Sequence, residues 1–263
     1  PHFDPAAPRA STAAIKREVV AKPERTRWLQ HRMNPETATG FALTAALALV
    51  LGAGLAIGLL LVMIGSDTGL AHYDLSVARW GADHASEGST QFLRNVSLLG
   101  GTSVMVALAL VSATIEYIRS RKAEVIAFVI VVVLGQVILV NLIKVIVDRD
   151  RPDVSRLTGF SGASFPSGHA AAAAATLAVV GFLAGRGRDA GVKAFLAAFV
   201  VGAAVAVATT RVLLGVHWLT DVVAGLAFGW GWFALVSIAF GGRVLSFGQP
   251  VADAERVADA VSA

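Results

Sequence analysis

The chain has 263 residues, of which 56% are hydrophobic and only 15% charged, with a mean hydropathy of +0.68. Soluble domains carry closer to a quarter charged residues, and here the apolar excess falls in long blocks, which excludes a soluble globular domain. There is no cysteine, so a disulfide framework and a thiolate metal site are excluded too.

A polar, basic N-terminal segment over residues 1–35 precedes the first block. That block, roughly Gly40–Ile64, starts too far in and runs too long for a signal-peptide core, and is expected to be an uncleaved span. A bilayer core needs about 20 apolar residues of helix. Five further blocks qualify or come close: Thr102–Ile118, Val125–Val147, Ala170–Gly185, Val192–Thr209 and Val222–Phe240. The Ala-rich fourth span has the weakest signal. Between the first two spans, Ser66–Arg94 mixes Leu75, Val77, Trp80, Phe92 and Leu93 with Asp74, Asp83 and Glu87, the pattern of amphipathic helices at a membrane interface. Gly54/Gly58 and Gly225/Gly229 have the spacing of helix-packing contacts. The sequence thus predicts an all-α fold: a six-transmembrane helix bundle over residues 36–241, with amphipathic helices in its first outer loop and a tail over 242–263.

Charge sets the expected orientation. With six spans, the N-terminal segment, the connections after spans two and four, and the tail share one side and hold fifteen Lys and Arg; the other side holds seven. The positive-inside bias puts both termini in the cytoplasm of a cell membrane. The basic isoelectric point, about 9.9, then reflects topology and anionic lipid. No aromatic interleaving accompanies the basic residues, so a nucleic-acid partner is not expected.

Polar residues at membrane depth call for a functional explanation. They gather at the outer ends of spans three to six in three groups. In the first, Lys144 and Arg151 are two helical turns apart and Pro152 offers a helix stop; the pair could hold a phosphate, the Arg as a flat fork. A snorkelling lysine, or a Lys144–Asp148 pair, reads the same residues equally well. The second is Ser164-Phe165-Pro166-Ser167-Gly168-His169, a helix start. Ser167 would cap it, free amides there would bind an anion, and His169 would protonate a leaving oxygen. The third is Arg211, then His217 and Asp221 four residues apart, spaced for a carboxylate to orient an imidazole. An ordinary capped helix explains either of the last two groups taken alone.

Taken together, the groups resemble the signature of the type 2 phosphatidic acid phosphatase superfamily: K-x6-RP, PSGH and SR-x5-H-x3-D. Lys144…Arg151-Pro152, Pro166-Ser167-Gly168-His169 and Arg211…His217…Asp221 match in order and spacing, and Thr210 stands where the pattern has Ser. The resemblance implies a membrane lipid phosphatase. His217 would attack phosphorus and form a phosphohistidine, Asp221 would orient it, and His169 would act as the acid. Lys144, Arg151, Ser167, Gly168 and Arg211 would hold the phosphoryl oxygens. The substrate would be a lipid phosphate of the outer leaflet, such as a polyprenyl diphosphate, phosphatidylglycerophosphate or phosphatidate. No metal or other cofactor is expected. His72 and His84 are expected to be interfacial, and Asp148, Asp150 and Asp153, which a Mg²⁺ site would also use, are explained equally well as balancing nearby arginines. A vanadate-dependent oxidase and a non-hydrolytic lipid-phosphate binder or transporter are the alternatives.

Overall fold

The computed structural model describes residues 35–240, with side chains from residue 42. The expected N-terminal segment, but for the backbone of Pro35, and the expected tail lie outside the described residues. The chain divides into two units, residues 1–44 and 45–263.

Among the described residues, eight α-helices and one 3-10 turn follow in order: α1 Pro35–Ser66, the turn Ala71–Tyr73, α2 Asp74–Asp83, α3 Glu87–Leu99, α4 Thr102–Ser120, α5 Glu124–Val147, α6 Gly168–Ala184, α7 Ala190–Leu213 and α8 Leu219–Phe240. Residues 42–66 of α1, together with α4, α5, α7 and α8, are long and apolar enough to cross a membrane. The chain is a multi-pass membrane protein. Its outward surface is apolar, with Leu51, Val62, Ile138, Val145, Ile146 and Phe195 all well exposed, as a lipid solvent demands.

Helix α6, at 17 residues, is the shortest of these apolar helices, about 26 Å at 1.5 Å per residue. It packs against α4, α5, α7 and α8. Every residue from Ala170 to Thr176 is buried, the pattern of a helix enclosed on all sides. Alanine suits that place because a short side chain lets four neighbours approach. Helix α8 comes closest. A Cβ on Gly225 would lie 2.6 Å from the Ser167 carbonyl oxygen, and one on Gly229 would lie 2.5 Å from that of Ala171. The Gly225/Gly229 pair is therefore a helix contact. The Gly54/Gly58 pair is not: a Cβ at either position meets nothing within 4 Å. At the far end of α6 the core is larger in grain, with Phe128 fully buried among Phe182, Phe233 and Phe240.

Helices α2 and α3 lie in the stretch between α1 and α4 and pack on α7. Their buried residues are small or polar: Asp74, Ala78 and Gly81 in α2, and Ser97 in α3. Trp80, Phe92, Leu98 and Leu99 point outward.

Candidate functional site

The C-terminal ends of α5 and α7 and the N-terminal ends of α6 and α8 meet at one end of the bundle. Two breaks in the chain make this possible. Helix α5 stops at Val147, where Asp148 adopts a left-handed conformation (φ 42°). The following loop folds back so that the Ser164 amide donates to the Arg149 carbonyl at 2.8 Å. Between α7 and α8, Gly215 takes φ 71°. The amides of Val216 and His217 then both donate to the Arg211 carbonyl at 3.2 Å, which turns His217 inward.

The cavity between these ends has a volume of about 360 Å³. Six of the eight residues singled out by the sequence line it: Lys144, Arg151, Gly168, His169, Arg211 and His217. Ser167 and Asp221 sit directly behind the wall, fully buried.

His217 Nδ1 lies 3.3 Å from Asp221 Oδ2, and Nε2 lies 3.3 Å from Arg151 Nη1 on the cavity side. His217 precedes α8 rather than sharing a helix face with Asp221, so the turn and not helical periodicity brings the two together. Burial drives the His217 pKa from 6.5 down to about 4, against the opposing pull of Asp221. The imidazole is therefore neutral near pH 7. With Nδ1–H donated to Asp221, Nε2 is left unprotonated on the cavity side, where its lone pair accepts from Arg151 Nη1.

Asp221 has no exposed surface. A buried carboxylate is costly unless fully hydrogen-bonded, and here it is. Besides His217, it accepts from Arg149 Nη1 at 2.7 Å, from the Trp218 amide at 2.9 Å and from the Ser164 hydroxyl. Arg149 in turn donates Nη2 to Asp74 at 2.8 Å. Asp74, only 3% exposed, also accepts from the Thr220 amide at 2.9 Å and its hydroxyl at 2.6 Å. The sequence reading missed Asp74, Arg149, Ser164 and Thr220 as partners of the dyad. Arg149 and Ser164 stand inside motifs already noted. Asp74 is 147 residues before Asp221, and no local spacing joins them.

The cations differ from expectation in how they are held. Arg151 leaves α5 altogether and lies in the loop. It donates Nε to Gly162 O at 2.9 Å, Nη2 to Ser161 O at 2.9 Å and Ala163 O at 3.2 Å, and Nη1 to Val216 O at 2.6 Å. The remaining Nη1 N–H is directed at His217 Nε2 at 3.3 Å, so no flat fork is left open and Arg151 offers the cavity its charge and this one donor. Lys144 donates to the Ala163 carbonyl. Arg211, 4% exposed, donates Nη1 to the Ser97 hydroxyl at 2.6 Å, and its Nε has no partner. The Ser167 amide donates to the Asp221 carbonyl at 3.0 Å, and its side chain accepts from the Ala170 amide. The unspent amides of α6 facing the cavity are those of Gly168 and His169.

Three cations, a helix N-terminus and one shared carboxylate leave the cavity electropositive. Burying such charge is tolerated only with a counter-charge, and a tetrahedral oxyanion suits the arrangement. Among the described residues, no cluster of three His, Cys, Asp or Glu side chains is placed to hold a metal ion.

The family model described as the PAP2 superfamily matches residues 124–244. Lipid A 1-phosphatase of Rhizobium etli is 38% identical over 121 residues, which are 42% of this chain and 48% of that protein. Phosphatidylglycerophosphatase B of Bacillus subtilis is 27% identical over 162 residues, 60% of this chain and 78% of that one. The chain thus spans about half the length of the Rhizobium relative. The crystal structure of a transmembrane PAP2-type phosphatidylglycerolphosphate phosphatase from Bacillus subtilis has the same fold, with a TM-score of 0.69 at 23% identity, covering 76% of this chain and 99% of that one. The matched segment runs from the start of α5 past the end of α8 and carries the whole set of site residues, so it is this part of the chain that is similar to the PAP2 superfamily.

Proposed function

We propose that the protein is an integral membrane phosphatase that removes phosphate from a lipid phosphomonoester or diphosphate through a covalent histidine intermediate. The observation that carries this reading is a neutral, carboxylate-oriented imidazole opening on a cavity lined by Lys144, Arg151 and Arg211. A site for binding alone has no need of a nucleophile; this one has both nucleophile and acid.

His217 Nε2 attacks phosphorus as the bond from phosphorus to the lipid oxygen breaks, and His169 gives that oxygen its proton. Water then attacks the phosphohistidine and passes a proton back to His169. The P–N bond breaks and inorganic phosphate leaves. Asp221 stabilises the positive charge on His217 while the P–N bond exists. The phosphoryl oxygens, which carry most of the transition-state charge, face the side chains of Arg211, Arg151 and Lys144 and the amides of Gly168 and His169, all of which line the cavity. Ser167 fixes the α6 N-terminus that presents those amides. No step requires a metal ion.

The bundle crosses the membrane six times, α6 being a span that neighbouring helices shield from lipid. Residues 1–35 and 242–263 face the cytoplasm, and the site opens on the outer side of a cell membrane. The lipid phosphatases among the relatives support a lipid substrate, with phosphatidylglycerophosphate, phosphatidate and a polyprenyl diphosphate as candidates. Phosphate release by the purified chain against that panel, with His217→Ala as control, tests the proposal. Release by the variant at the wild-type rate would refute the mechanism.

A further inference from the structure

The cavity is larger than a phosphate. Its 360 Å³ equals about twelve waters at roughly 30 Å³ each. Beyond the cations it continues along α5, where Gln136, Val137, Val140 and Asn141 line it. Gln136 precedes Lys144 by eight residues, about 12 Å of helix at 1.5 Å per residue, deeper in the membrane. The residue is only 3% exposed, lines the cavity, and makes no side-chain hydrogen bond to another described residue. Buried polar groups are nearly always satisfied, and a polar side chain at membrane depth calls for a ligand or a partner. Asn141, which lines the same space, donates Nδ2 to Val137 O at 2.8 Å.

This arrangement discriminates between kinds of lipid. In a polyprenyl phosphate, hydrocarbon follows the phosphate oxygen directly and would lie against Gln136, which would lose water and gain nothing. In an acylated lipid, ester or amide carbonyls lie between phosphate and chain. We infer that Gln136 is a specificity residue whose carboxamide donates to an acyl carbonyl of the substrate, and that the protein prefers acylated lipid phosphates to polyprenyl phosphates. The inference rests on the phosphatase reading above and narrows its substrate class.

The test uses the full chain in detergent micelles and measures kcat/KM for three lipids. These are a diacyl phosphatidate, its dialkyl ether analogue of equal chain length, which lacks the carbonyls, and a polyprenyl monophosphate. The wild type is expected to favour the ester over the ether about tenfold, the scale of one buried hydrogen bond. Gln136→Leu and Gln136→Met are each expected to bring that ratio near one. Equal rates on ester and ether by the wild type would overturn the inference, as would an undiminished ratio in a folded variant or a wild type faster on the polyprenyl lipid. If neither variant folds, the wild-type ratio alone decides. Absence of phosphate release from all three lipids would instead fail the phosphatase reading itself.

Discussion

Asp221 shows how much protein a single buried charge recruits. Four donors converge on its two oxygens, and one of them, Arg149, is itself held by Asp74 from the stretch between α1 and α4. The brace sets the angle of the carboxylate and so the ring plane of His217. Asp74→Asn removes the charge that faces Arg149. A hydrogen bond to a charged group is worth roughly 1.5–3 kcal/mol, so kcat is expected to fall about tenfold to a hundredfold with little change in KM, as steady-state phosphate release would show. A fall in KM-dependent binding alone would make Asp74 a substrate contact instead. The His217 pKa gives a second check. The proposed nucleophile reacts in its neutral form, and burial lowers its pKa from 6.5 to about 4. Protonation, and hence loss of kcat/KM, then occurs as pH drops through about 4. An acid limb centred near 6.5 would mean that the ring is solvated in the free enzyme.

At the scale of elements, the contact between α6 and α8 decides whether the site has a floor. Their backbones meet where Gly225 and Gly229 lack side chains, and the nearest atoms are carbonyl oxygens and alanine Cβ atoms that cannot swing away. Gly225→Ala or Gly229→Ala is expected to cost about 1–3 kcal/mol through overpacking, seen as a lower thermal midpoint in detergent. Gly54→Ala, with open space around its Cβ, is expected to leave that midpoint in place. The sequence gives the two glycine pairs the same spacing, and only three-dimensional packing separates them. Helices α5, α7 and α8 were legible because an apolar run of 22–24 residues needs no partner to be recognised. Helix α6 was harder to read because its burial comes from neighbours that its own alanines do not specify.

The described residues place the proposed catalytic groups at one end of the bundle and the Arg119–Lys122 and Arg186–Lys193 connections at the other. A reporter in the Arg186–Lys193 connection is expected to be shielded from outside reagents in intact cells; labelling there would reverse the orientation. Activity is expected to survive EDTA, and a loss restored by Mg²⁺ would bring a metal into the mechanism. The signature positions were legible in the chain because each motif is short and its spacing is preserved. Their supports were not. Asp74 and Ser97 reach Arg149 and Arg211 only through the packing of α2 and α3 on α7 and α8, a contact between segments more than 70 residues apart that no periodicity records. Gln136 was likewise indistinguishable from a neutral residue in an apolar run until the cavity beside it was visible. The central claim is that His217 carries the phosphoryl group during turnover. Rapid acid- and base-controlled quenching of the enzyme with a ³²P-labelled lipid phosphate tests it most directly. The expected result is an acid-labile, base-stable label on His217 that is absent from His217→Ala. Label on another residue, or phosphate release by His217→Ala at the wild-type rate, would contradict it.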